Sequence, residues 1–205
     1  DLDLVVTGFE GTNETATIYR NDGGDTFTNA TAITVSLTGV RDGSSSWGDY
    51  DGDGDLDLVV TGGNGLNETA KIYRNDGGST FTTNISAGLA GVDGSSSAWG
   101  DVDGDGDLDL VVTGFDGSDE TAAIYENDVE NGNGFSPIGA GLTGVRGGSS
   151  GEWGDYDRDG DLDLFVTGTD ENFDGIATIY ENVAPPSIAV DQGGTPISDG
   201  GSFDA

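Results

Sequence analysis

Residues 47–62 read "WGDYDGDGDLDLVVTG", and nearly the same line returns as "WGDVDGDGDLDLVVTG" from Trp99 and "WGDYDRDGDLDLFVTG" from Trp153. Each copy packs five aspartates into nine residues. Carboxylates this close repel one another unless a cation sits among them. With Asp49 as position one, Asp51 and Asp53 fall at positions three and five, Gly54 at six, Asp55 at seven and Asp57 at nine. Alternate residues aim carboxylates inward as the chain curls around an ion. Gly tolerates the φ of the sharp turn, position seven offers its backbone carbonyl, and position nine returns a last carboxylate, directly or through water. The second loop holds Asp101, Asp103, Asp105, Asp107 and Asp109; the third holds Asp155, Asp157, Asp159, Asp161 and Asp163. All of these are candidate metal ligands. Hard oxygen donors with no phosphate partner favour calcium over zinc, copper or magnesium, so about three Ca2+ per chain are expected. Position twelve is Val60, Val112 or Val166, not the Glu of a helix–loop–helix calcium site. Arg158 takes the place of a Gly in the third loop, at a position expected to point outward.

The repetition extends beyond the loops. Trp47, Trp99 and Trp153 lie 52 and 54 residues apart. Tyr19, Tyr73, Tyr125 and Tyr180, in "TIYRN", "KIYRN", "AIYEN" and "TIYEN", lie 54, 52 and 55 apart. A period near 53 suits four-stranded β units such as propeller blades. Within one repeat, strands are expected over 95–102, 108–115, 121–128 and 134–142, with Gly/Asn/Asp turns such as "NDGG" at 21–24 and 75–78 between strands. The opening "DLDLVVTG" matches residues 55–62, so the chain enters in mid-repeat. The expectation is an all-β chain of about 3.5 tandem four-stranded antiparallel blades, an incomplete or assembled propeller. Residues 1–40 form a partial repeat, 41–92 and 93–145 complete ones, and 146–184 another partial one. Pro185 and Pro186 break the pattern, and 185–205 reads as a linker and the start of a following β-module.

The D-x-D-x-D-G-x-x-D loop lies between a Trp-containing strand and an "LDLVVTG" strand, and "IYRNDGG-x-x-F" follows. In this the chain resembles the FG-GAP/VCBS repeats of bacterial surface proteins over about residues 1–182. The integrin α-subunit propeller has the same loop type. The resemblance implies four-stranded blades with calcium bridging strands one and two, in an extracellular, secreted or cell-surface protein. The Phe-Gly and Gly-Ala-Pro pairs that name the family are absent here.

Composition excludes several functions. A net charge of −33, from 39 acids against 6 bases, argues against nucleic acid and anionic membrane surfaces and for cations. The same acidity suits a salty habitat. No apolar run is long enough to span a bilayer, so no membrane insertion is expected. With no His and no Cys, Ser-His and Cys-His catalysis is impossible. Paired carboxylates serve glycosidases, but a catalytic pair is one asymmetric site, and three equivalent copies read as structure. The chain is therefore expected not to be an enzyme. One Trp per repeat reads as core, not as a sugar-stacking platform. With no Met, Asp1 is not a translation start, and a processed product or an interior fragment is expected. Asn13, Asn29, Asn67 and Asn84 head N-x-Ser/Thr sequons.

The function expected is an extracellular calcium-stabilised β-repeat scaffold for adhesion or recognition within a larger surface or secreted protein. It would meet a protein or glycan ligand on loops 9–14, 63–68, 115–120 and 169–175. One alternative is a structural subunit of an extracellular filament, self-associating through open sheet edges. Another is a module of a polysaccharide-active enzyme, since some lyases of this fold group carry calcium loops.

Overall fold

The apolar run that follows each Asp loop becomes the second strand of a sheet. In the two interior sheets it is buried on both faces: Leu58, Val59, Val60, Leu110 and Val111 are all fully buried. That is the pattern of a strand with protein above and below it. The computed structural model describes residues 2–30, 36–78, 80–84, 88–129, 134–184 and 187–190, and every regular element among them is a strand. No helix among these residues is long and apolar enough to cross a membrane.

The first sheet has three strands, β1 (Leu4–Phe9), β2 (Glu14–Asn21) and β3 (Phe27–Asn29). The second has β4 (Arg41–Gly48), β5 (Asp57–Gly63), β6 (Glu68–Asn75) and β7 (Phe81–Asn84). The third has β8 (Asp93–Gly100), β9 (Asp109–Phe115), β10 (Glu120–Asp128) and β11 (Gly134–Ile138). The fourth has β12 (Arg146–Gly154), β13 (Asp163–Thr169), β14 (Gly175–Ala184) and β15 (Ser187–Val190). Each is an antiparallel meander in chain order, and the described residues close no ring. This is the expected array of blades, an incomplete propeller.

Three assignments differ from the sequence reading by more than one residue. The first strand of the third sheet runs Asp93–Gly100 rather than 95–102, because residues 101–102 already belong to the Asp loop, where the Val102 amide donates to Asp109. Strand β11 stops at Ile138, short of 142, because the Ala140 amide turns back onto the Ile138 carbonyl at 2.9 Å. Sequence reading placed 187–190 in a following module. In the structure Ser187–Val190 pairs antiparallel with β14 and forms the outer strand of the fourth sheet. The open edge of β14 presents unpaired backbone groups, and Ser187–Val190 supplies their partners. Residues 185–186 and 191–205, the rest of that expected linker and module, lie outside the described residues.

The core lies between the sheets. Tyr50, Val59 and Ile72 of the second sheet pack with Leu110, Val112, Tyr125 and Phe135 of the third. Val102, Val111 and Ile124 of the third meet Leu164, Val166 and Tyr180 of the fourth. Ile18 of the first meets Leu58, Val60, Tyr73 and Phe81 of the second. Along each second strand, therefore, alternate residues serve opposite neighbours: Leu58 and Val60 look back, and Val59 looks forward.

The repeated Trp, Tyr and Ser residues join these units. Trp99 donates its indole N–H to the Ser46 carbonyl and Trp153 to the Ala98 carbonyl, both at 3.3 Å, linking one first strand to the next. The Trp99 ring also stacks on Tyr50, with centroids 6.0 Å apart. The Ser runs bridge neighbouring first strands, with the Ser97 amide on Ser44 Oγ and the Gly151 amide on Ser96 Oγ, each at 3.3 Å. The hydroxyls of Tyr73, Tyr125 and Tyr180 accept from the amides of Thr38, Ala90 and Thr143 at 2.8–3.0 Å, pinning the segment that leads into each sheet.

This packing makes a prediction with an internal control. A Cβ on Gly100 would stand 2.7 Å from Trp153 Cδ1, whereas one on Gly154 would meet nothing within 4 Å. Gly100→Ala should cost about 1–3 kcal/mol through forced repacking. For a domain of this size that lowers the melting temperature by about 2–12 °C. Gly154→Ala should leave it unchanged. Equal effects in thermal melts would refute the Trp-on-Gly joint.

Candidate metal centres

Each Asp loop begins where a first strand ends and closes where a second strand begins, so the sheet holds both of its ends. Gly54, Gly106 and Gly160, at position six, have φ of 95°, 102° and 102°, where a side chain would be strained. Position four is also left-handed, at 71° in Gly52 and 75° in Gly104. Arg158 adopts 69° there and is exposed, as expected, at a cost of about 1–2 kcal/mol.

Three groups of carboxylate oxygens converge, each with its atoms within 4.8 Å of one another. They come from Asp49, Asp51 and Asp53; from Asp101, Asp103 and Asp109; and from Asp155, Asp157 and Asp163. Positions one and three thus meet in all three loops, joined by five in the first and nine in the other two. Two oxygens sharing one calcium at about 2.3–2.6 Å can stand no more than about 5 Å apart, so the spacing suits one ion per loop. Asp55, Asp107 and Asp161, at position seven, lie outside these groups, as do Asp57, Asp105 and Asp159.

The carboxylates are only partly neutralised by the backbone. Asp49 Oδ2 accepts from the Gly54 amide at 3.0 Å, and Asp101 accepts from Gly104 and Gly106 at 2.8 and 3.1 Å. Asp49 Oδ1 and Asp51 Oδ1 are buried with no hydrogen-bond donor. Burial pushes the Asp51 and Asp103 carboxyls above the ordinary range, and neighbouring carboxylates add to the shift. Buried acceptors without donors, in a loop that disfavours its own charge, are what a cation would satisfy. The donor set fits calcium.

Position nine does more than sequence reading assigned to it. Asp57, Asp109 and Asp163 are buried, and each carboxylate spans two backbone amides. Asp109 takes Val102 N and Asn127 N, both at 2.8 Å. Asp57 takes Tyr50 N and Asn75 N at 3.1 and 2.7 Å, and Asp163 takes Tyr156 N and Asn182 N at 3.0 and 2.9 Å. Burial pushes Asp57 and Asp109 up to about 6 despite these donors.

The partner missed from sequence is the Asn that closes "IYRN" and "IYEN". Asn127 Nδ2 donates to Leu108 O in its own sheet, at 3.1 Å, and to Tyr50 O in the loop of the preceding sheet, at 2.8 Å. Asn182 Nδ2 likewise reaches Val102 O at 2.7 Å. The first and second loops are thus each gripped by their own position-nine Asp and by the next sheet's Asn. The signal was visible in the constant offset of 18 or 19 residues from that Asp to the Asn.

The loops at the other end of the sheets, 9–14, 63–68, 115–120 and 169–175, are hairpin turns. Asn64, Asp116 and Asp170 organise three of them by accepting amides within the turn. Leu66 and Phe173 stand out there, 90% and 74% exposed.

A family model described as FG-GAP-like repeat matches the chain three times, at residues 1–60, 49–112 and 101–166. No curated protein matches it.

Proposed function

The chain belongs to the FG-GAP-like repeat family, and from that premise we propose that it is an extracellular scaffold for adhesion or recognition whose sheets are held in shape by calcium. FG-GAP repeats are typical of extracellular and surface proteins, which supports that setting. One observation carries the metal reading: the same converging carboxylates recur in three loops, and in the first of them two buried oxygens lack any donor. Asp49, Asp51 and Asp53, Asp101, Asp103 and Asp109, and Asp155, Asp157 and Asp163 would hold one ion each. The ion would supply charge neutralisation and a crosslink between the end of a first strand and the start of a second. Nothing in these sites calls for catalysis, because three equivalent copies serve a structural role more simply than a chemical one. Recognition falls to the opposite hairpins, where Leu66 and Phe173 offer apolar anchors to a protein or glycan.

Equilibrium dialysis followed by metal analysis should find three Ca2+ per chain and little magnesium. The double variant Asp101→Ala/Asp103→Ala should bind two. A wild-type count of zero, or an unchanged count in the variant, would refute the assignment.

A further inference from the structure

The three loops are alike in sequence but not in the charge beside them. In the first, Arg74 Nε lies 4.0 Å from Asp51 Oδ2, and Asp51 is one of the three residues whose carboxylates converge there. The same guanidinium is held by Asp76, with Nη2 at 2.6 Å and Nε at 2.7 Å from Oδ1, which offsets part of its charge. Arg74 directly follows Tyr73, the partner of Leu58 across the strand pair. Two residues hold the same register: Glu126, after the Tyr125 that pairs with Leu110, and Glu181, after the Tyr180 that pairs with Leu164. One position at the loop end of the third strand thus carries a cation in the second sheet and an anion in the third and fourth.

The first loop also differs in geometry. Asp109 and Asp163 join the converging groups of the second and third loops, whereas Asp57 stays outside its own. Arg74 brings Asp51 part of the positive charge that a metal would bring, and it repels the metal itself. An ion bonded to Asp51 stands roughly 6 Å from the guanidinium. At that distance a single and a double positive charge, in a water-like dielectric and about 0.15 M salt, cost about threefold in affinity. A Glu in the same register acts in the opposite sense. Arg158, the basic residue within the third loop, is exposed, and solvent screens its charge.

We infer that Arg74 makes the first loop the weak calcium site of the three, with a Kd about three to five times that of the second, so that it fills last as calcium rises. This rests on the reading of the loops as calcium sites. The loop that fills last is also the one that carries Tyr50, which stacks on Trp99, meets Phe135 at 5.6 Å between centroids and gives its carbonyl to Asn127.

Hydrogen exchange of the full chain tests this, read by mass spectrometry on peptides spanning 49–57, 101–109 and 155–163. A calcium series of about 0.01–10 mM at constant ionic strength gives a midpoint for each loop. The first midpoint is expected at about three to five times the calcium concentration of the second. Arg74→Glu, at a side chain 42% exposed, should bring the two within about twofold of each other. Glu126→Arg should raise the second midpoint by about threefold or more and leave the third in place. Thermal melts report that both variants fold, and the wild-type order is a test in its own right. Equal midpoints in the wild type, or midpoints that neither substitution moves, would overturn the role of Arg74 even with three ions counted by dialysis. Protection indifferent to calcium in all three loops would remove the sites themselves, and this inference with them.

Discussion

Stripping calcium with a chelator is expected to lower the melting temperature by about 15–30 °C or to abolish the cooperative transition, with magnesium restoring little. Extracellular calcium modules bind with Kd of about 0.1–1 mM. At ~10 mM calcium and a Kd of ~0.1 mM, each site contributes about 2.7 kcal/mol by linkage, and three contribute about 8. That is comparable to the whole stability of an ordinary domain, and each kcal/mol is worth about 2–4 °C at this size. The pH dependence should change sign with the metal. Without calcium, Asp57 and Asp109 have folded values near 6, raised by burial above an unfolded value near 3.9. The folded state then binds more protons between about pH 4 and 6, so its advantage is greatest at the acid end and is lost as pH rises through 6. With calcium, protons compete with the metal for the cluster oxygens, those of Asp109 among them, and stability should rise over that window. Thermal melts across pH 4.5–7, with and without chelator, measure both effects. A melting temperature indifferent to calcium, with one pH trend in both series, would leave the aspartates as surface charge and remove the crosslinking role.

Sequence alone carried the architecture because the repeat writes the same instructions several times. A lone "LDLVVTG" is only an apolar run, which periodicity cannot assign to a strand or a buried helix. Its recurrence at a fixed distance from Trp47, Tyr73 and their counterparts supplies the assignment, and the family match agrees with it. The loop was legible for a related reason. Gly at position six needs a left-handed φ, and the structure gives 95° to 102° there. What sequence could not give was which neighbour each residue serves. Val59 and Val60 are adjacent and chemically alike, yet one faces the third sheet and the other packs with Ile18 of the first. Pairing across the core depends on how the sheets stack, which no local rule encodes. The bridging role of Asn127 was hidden because it spans 77 residues to reach Tyr50. The fourth sheet's outer strand was missed because Pro185 and Pro186 announce a boundary, while Ser187–Val190 pairs directly beyond them.

The distinction between positions three and nine yields the sharpest mutational contrast. Asp103 sits in the cluster, where burial and like charges oppose its ionisation. Asp103→Ala should therefore destabilise in calcium, by about the 2.7 kcal/mol of a lost site, and be neutral or stabilising in chelator, where it removes a repelling charge. Asp109→Ala should destabilise in both. It leaves the Val102 and Asn127 amides without their acceptor in a buried place, at about 1–3 kcal/mol each. Relief of a buried charge offsets part of this, so about 2 kcal/mol is expected in chelator and about 5 in calcium, where the site is lost as well. The damage should also travel. Asn127 is held by Asp109 through its amide and holds the Tyr50 carbonyl through its side chain, so Asp109→Ala loosens the first loop from a sheet away. Calorimetric titration should then show weaker binding at Asp49, Asp51 and Asp53 in a variant whose substitution lies in the next repeat. If Asp103→Ala and Asp109→Ala behave alike in chelator, position nine is one more ligand and the sheets do not communicate through it. If they differ as expected, the carboxylate that closes the second loop is also the bolt that fixes one blade to the one before it, and Asp163, through Asn182, repeats the arrangement.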